Sequence, residues 1–248
     1  MNRVNPLNDS GRVDKTLKLL DRLENRLGRF AIRNLMTYIV GFNALVYVLT
    51  YLDHTNMFVN KLMLIPSYVL NGQIWRLITF VFIPPATSPF WIIFTLYFYY
   101  LIGSSLENEW GSFKFNLYYL IGMICTIIAA FTTGGVGTAI YLNTSLFLAF
   151  ARIYPDFTLL LFFILPVKVK YLAWLEWFFL IYTVATMPLS ISAAAIAAIV
   201  NYFIFFGKDI ITRTRTVTQV RYNRKRFRVD LPKDFTMHKC TVCGKTEK

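Results

Sequence analysis

The 248-residue chain is 56% hydrophobic, 17% aromatic and 16% charged, with a mean hydropathy of +0.49. Charged residues make up about a quarter of an ordinary soluble domain, so a soluble enzyme, a disulfide-stapled secreted domain and a disordered chain are excluded. The charges are also segregated: Leu77–Leu106, Phe115–Ala151 and Trp177–Gly207 contain none. A bilayer core takes about 20 apolar residues per helix, and these runs are long enough for several crossings.

Residues 1–33 hold eight of the 26 basic residues. From Ser10 onward Val13, Leu17, Leu20, Leu23, Leu27 and Phe30 recur at helical spacing. Lys15, Lys18, Arg22, Arg26 and Arg29 fall on another face. This pattern predicts an amphipathic helix lying on a membrane surface, where each basic group near anionic lipid contributes about 1 kcal/mol. The segment is polar for more than thirty residues and reads as no cleavable signal sequence.

Six spans follow: Leu35–Leu52, Phe90–Leu106, Phe115–Thr133, a short Ile140–Tyr154, Tyr171–Met187 and Leu189–Phe206. The long connection from His54 to Ser88 is semi-apolar and contains Pro66, Pro84 and Pro85. Phe157–Val167 is apolar but only 11 residues long. At ~1.5 Å per residue it cannot cross a ~30 Å core as a helix, so it should lie at the interface or re-enter. With the N-terminus inside, the inner segments hold 24 of the 26 basic residues, leaving Lys61 and Arg76 outside. That asymmetry places both termini in the cytoplasm.

Residues 208–248 carry twelve basic residues, seven of them between Arg213 and Arg228. Basic ends around an apolar middle point to lipid headgroups or an acidic partner, and not to nucleic acid. The motif Cys240-x-x-Cys243, with His238 nearby, has the spacing of half a zinc knuckle. A structural zinc takes four ligands, so a site here needs completion by a second chain or by a second CxxC beyond Lys248. The three-part organisation is therefore a basic amphipathic segment (1–33), a membrane domain (34–207) and a basic tail (208–248).

Three fragments then carry a family resemblance over roughly residues 30–207. They are GQIWRLITFVF (Gly72–Phe82), GSSLENEWGSFKFNLYYLIG (Gly103–Gly122) and IYPDFTLLLFFILPVKVKYLAW (Ile153–Trp174). In this order, on these spans, the chain resembles the rhomboid superfamily. The expected fold is an all-α, six-transmembrane-helix bundle. Trp75, Arg76, Gly103, Glu107 and Gly111 read as fold residues. Arg76 has five donors with which to tie loop carbonyls together, Glu107 can bond the amides freed at the turn, and Gly111 permits that turn.

The resemblance implies a Ser–His dyad on spans four and six, with a His and an Asn on span two. This chain departs from it at each point. Span six has no histidine, and the chain's two histidines are His54 and His238. Aligned through Gly103 and Glu107, the span-two positions fall on Trp91 and Thr95, which make a poor oxyanion pair. The nucleophile position falls near Ile140 by one register and on Ser145 by another, and neither lies in GxSG. Asn143-Thr144-Ser145 then reads as a polar cluster packing a helix end.

Ser190, Ala194 and Ala198 form a row of small residues that lets span six approach another helix closely. Glu176, between Trp174 and Trp177, is an intramembrane carboxyl, read here as snorkelling towards the interface. Cys125 reads as a small packing residue.

The resemblance therefore implies a proteolytically inactive rhomboid-like protein, as Derlins and inactive rhomboids are. It would bind transmembrane segments of client proteins in quality control or regulation, with no catalytic residue and no required cofactor. The alternatives are an active intramembrane serine protease using Ser145 and a membrane scaffold recruiting a cytosolic partner through its tail. The expected location is a bacterial plasma membrane, with the ER membrane as the alternative.

Overall fold

The computed structural model describes residues 28–53, 57–85, 88–161 and 165–226, together with Arg26 and Cys243. The proposed surface helix over residues 10–30 lies almost wholly outside these, as do His54, His238 and Cys240. The chain divides into two compact units, Met1–Phe205 and Phe206–Lys248.

Helix α1 (Leu35–Leu52) starts after Asn34, whose φ of 56° turns the chain into it. It buries Met36, Ile39, Asn43 and Val46, one face at helical spacing. Three short helices follow: α2 (Met57–Leu62), α3 (Pro66–Leu70) and α4 (Arg76–Thr79), then a 3-10 turn at Phe80–Phe82. Pro66 occupies the first turn of α3, where its missing N–H is no loss. The long helices α5 (Pro89–Trp110) and α6 (Ser112–Thr133) meet at Gly111, whose φ of 83° a side chain would oppose.

Helix α7 (Ile140–Ile153) has 14 residues, or ~21 Å, less than a bilayer core. Its surroundings are mostly protein. It packs on α5 and α6 and on α8 (Val169–Thr186), and it buries seven residues that fall on more than one side. Its start is pinned from outside the bundle, where the Gly137 amide donates to the Leu64 carbonyl at 2.9 Å. A side chain on Gly137 would run into Leu64, which is fully buried.

Among the described residues the fold is all-α apart from one hairpin, which the sequence did not predict. Thr158–Leu161 and Leu165–Lys168, strands β1 and β2, pair antiparallel, with Thr158 opposite Lys168. An apolar stretch too short to cross as a helix satisfies its backbone by pairing with itself. At the base of the hairpin, Lys168 and Lys170 both donate to the Asp156 carboxylate, at 3.2 and 3.3 Å. These bonds hold the Asp156 carboxyl below the usual carboxylate range.

A depressed folded pKa means the clamp is intact above the ordinary carboxyl pKa of about 3.9 and opens only as pH falls through the lower folded value. An NMR titration of the Asp156 carboxyl carbon should therefore give a midpoint below about 3.9. A midpoint at or above that value would mean the clamp does not form. The groups are exposed, so Asp156→Asn should change global stability little.

The last helix, α9 (Leu189–Arg226), begins after Pro188 and continues well past Phe206, where the apolar run ends. Among the described residues, four segments are long and apolar enough to cross a membrane: Gly28–Leu52, Pro89–Trp110, Ser112–Thr133 and Leu189–Gly207. Helix α7 is apolar but shorter, and α8 carries Lys170 and Glu176 within its apolar run.

Candidate functional site

Helices α6, α7 and α9 converge on Ser145. Its hydroxyl donates to the Leu142 carbonyl at 2.8 Å, back along its own helix, and accepts from Asn201 Nδ2 of α9 at 3.1 Å. The Ser145 carbonyl accepts from the Tyr118 hydroxyl of α6 at 2.9 Å. Ser145, Asn201 and Tyr118 are all 0% exposed. A serine becomes a nucleophile when a base accepts its proton. Here the proton is given to a backbone carbonyl, and the neighbouring side chain is an amide, which presents its N–H and is no base. The Asn201 and Tyr118 bonds join α7 to α9 and to α6. Ile140, the other candidate position, is an exposed apolar residue at the start of α7.

Asn201 and Tyr118 were missed from the sequence, although a signal for the first was present. A lone asparagine in an apolar span is costly unless another helix satisfies it. Asn43 in α1 repeats the pattern, donating to the Ile39 carbonyl at 2.9 Å and to the Val81 carbonyl at 3.4 Å.

A groove of about 350 Å³ opens between α5 and α8, with α7 as its floor. Phe94 and Phe98 line one wall, Leu175 and Phe179 the other, and Leu159 of β1 also contributes. The floor is polar. Glu176 of α8 is half-buried and lines the groove together with Thr144. Asn143 and Tyr99 line it as well, and Asn143 Oδ1 is buried without a partner. Glu176 thus stands at a groove shared with α7, where the sequence suggested a carboxyl snorkelling towards the interface. The site supplies hydrogen-bond acceptors inside an aromatic trough.

The other sequence-selected residues lie apart from this groove. Trp75, Arg76 and Thr79 together take the carbonyls at the end of α2. Arg76 Nη1 donates to Asn60 and Met63 at 2.6 and 2.7 Å, Trp75 Nε1 to Lys61 at 3.2 Å, and the Thr79 hydroxyl to Leu62 at 3.0 Å. Arg76 Nε also donates to Gln73 Oε1 at 2.7 Å, and the guanidinium lies 4.8 Å from the Tyr68 ring centroid.

Glu107 Oε1 accepts from the Ser112 hydroxyl at 2.6 Å and from the Asn34 amide at 2.7 Å. It thus ties the α5–α6 turn to the start of α1, where the sequence suggested bonding to the turn's own amides. The turn amide of Gly111 is taken instead by the Glu107 backbone carbonyl at 2.8 Å. Gly103 lets Met36 of α1 lie directly against α5.

Trp91 is partly exposed and edge-on to Phe90 and Phe94; the Thr95 hydroxyl donates back to the Trp91 carbonyl at 3.0 Å. Neither side chain points a donor towards Ser145 by any hydrogen bond among the described residues. Ser190 lies close against Gly135, and Ala194 and Ala198 are buried on the same helix as Asn201. Cys243 is exposed, but its proposed zinc partners are outside the described residues. Cys125 is a half-buried free thiol.

The chain belongs to the family described as "Eukaryotic integral membrane protein (DUF1751)", which matches residues 33–206. No curated protein matches it. The protein is thus an integral membrane protein, and a eukaryotic family argues against the bacterial plasma membrane expected from the sequence.

Proposed function

We propose that the protein is a six-span, rhomboid-like membrane protein without proteolytic activity that binds transmembrane segments of other membrane proteins. The observation that carries this reading is the groove between α5 and α8. It lies over a helix shorter than the bilayer, is walled by phenylalanines, and has Glu176, Thr144 and Asn143 at its floor. A transmembrane segment bearing an Asn, Gln, Ser or Lys finds no partner in lipid and finds acceptors here. A short central helix also favours local thinning of the bilayer, which suits such segments. The engagement of the Ser145 hydroxyl by Asn201 supports the absence of proteolysis. Quality control or regulation of client proteins is the role that the rhomboid resemblance adds, in an ER or other eukaryotic membrane.

The test is reconstitution in liposomes with a panel of labelled single-span segments, alongside Ser145→Ala and Glu176→Leu variants. No cleavage is expected from any form. Polar-centred segments should bind, and Glu176→Leu should weaken them roughly threefold, the worth of one interhelical hydrogen bond in lipid. Cleavage that disappears in Ser145→Ala would overturn the reading, as would binding indifferent to both segment polarity and Glu176.

A scaffold role is the second reading, favoured by the continuation of α9 as far as Arg226. Removing residues 208–248 would abolish a scaffold role and leave segment binding intact.

A further inference from the structure

A second groove, of about 580 Å³, runs between α1 and α6. Leu35 and Phe42 of α1, Leu120 and Met123 of α6, and Phe82 of the 3-10 turn make its walls apolar. From Leu35 to Phe42 it follows α1 for ~10 Å. Two further lining residues, Phe30 and Ile32, precede α1 and stand beside Arg29 and Arg33. There the Arg29 guanidinium lies 4.8 Å from the Phe30 ring centroid, and Arg33, next to Ile32, is exposed. Asn116 lines the same end. Its amide nitrogen donates to the Ile32 carbonyl at 3.1 Å, and its Oδ1 is buried without a partner.

A neighbouring helix, ~10–12 Å across, would need contact over several turns and no guanidinium at its end. A phospholipid presents an apolar chain and an anionic phosphate in one molecule, in the same order as the groove and its mouth. Arginine forks match phosphate oxygens in pairs.

We propose that the groove between α1 and α6 binds an anionic phospholipid of the leaflet beside the N-terminal segment. One acyl chain lies along Phe42, Leu120 and Met123, and the phosphate is held by Arg29 and Arg33. The arginines select the headgroup, and the groove holds the chain.

Native mass spectrometry of the full chain, released from micelles containing equal palmitoyl-oleoyl phosphatidylserine and phosphatidylcholine, tests this. Phosphatidylserine should be retained preferentially. Arg29→Gln and Arg33→Gln should each reduce that preference about fivefold, and Leu120→Trp should lower retention of both lipids. Leu120 is half-exposed, so its replacement leaves the fold intact, which circular dichroism would verify. Equal retention of the two lipids would overturn the proposal, as would a preference unchanged by the arginine variants. Competition by glycerophosphoserine, which has no chains, would indicate a headgroup site only and overturn it. Dimers appearing in place of lipid adducts would show that a second copy covers the groove.

Discussion

Arg76→Ala is expected to destabilise the membrane domain by about 3 kcal/mol, because a buried guanidinium loses its bonds to two backbone carbonyls and a hydrogen bond to a charged group contributes about 1.5–3 kcal/mol. Arg76 is 4% exposed, and it closes the end of α2 by holding Asn60 and Met63 while its Nε holds Gln73. Terminal helix carbonyls need a partner outside the helix, and here the side chains of Trp75, Arg76 and Thr79 supply one to each. Arg76→Lys should recover roughly half the loss, since a point charge on a flexible stem cannot serve three acceptors fixed around a planar fork. Denaturant titration or thermal melting in lipid nanodiscs, read by tryptophan fluorescence, checks both. An Arg76→Ala protein as stable as the parent would mean that these bonds hold nothing together.

Gly122→Val is expected to be nearly as damaging, and it acts at the opposite kind of place. A side chain at Gly122 would collide with Leu142 of α7 and come within 2.8 Å of Asn201 Nδ2 of α9. Leu142 is 2% exposed and Asn201 fully buried, so neither has free volume to move into. Overpacking of this kind costs about 1–3 kcal/mol, and here it also pushes Asn201 off Ser145. Gly41 supplies the control. It sits within α1 with nothing within 4 Å of an added Cβ, so Gly41→Ala should leave stability unchanged or raise it by up to about 1 kcal/mol. Equal losses at Gly41 and Gly122 would show that glycine matters here for the backbone and not for close packing.

Both predictions bear on what kind of molecule this is. The bonds that can be traced through the membrane domain are scaffold bonds: Arg76 to α2, Glu107 to Asn34 and Ser112, Asn201 to Ser145. Among the described residues four buried polar atoms lack a partner: Asn201 Oδ1 inside the bundle beside Ser145, and Asn143 Oδ1, Asn116 Oδ1 and the Tyr119 hydroxyl, which belong to residues lining the two grooves. The grooves are where a ligand has something to gain.

Much of the helical order was legible in the sequence, because a bilayer allows few solutions. Uninterrupted apolar runs had to become helices, and Pro89, Gly111, Gly134 and Pro188 marked where they begin or end. Apart from the end of the last helix, the observed helices start and stop within a few residues of those expectations. The hairpin at Thr158–Lys168 was not legible, because a short apolar run has no period that separates strand from helix. Nor was the length of α9, since a charged continuation of an apolar helix looks like a tail until its backbone is seen.

The candidate site divides in the same way. The lack of a histidine in span six is a fact of composition, and Ser145 is suspect as a nucleophile on the sequence alone. That its partner is Asn201, 56 residues away, could be decided only by packing, as could the meeting of Glu176 with Asn143 and Thr144 in one groove. Apolar content and charge segregation determine that this chain enters a membrane and how its helices are strung. Side-chain partnerships across helices are decided by which faces meet, and a one-dimensional pattern does not contain those pairings.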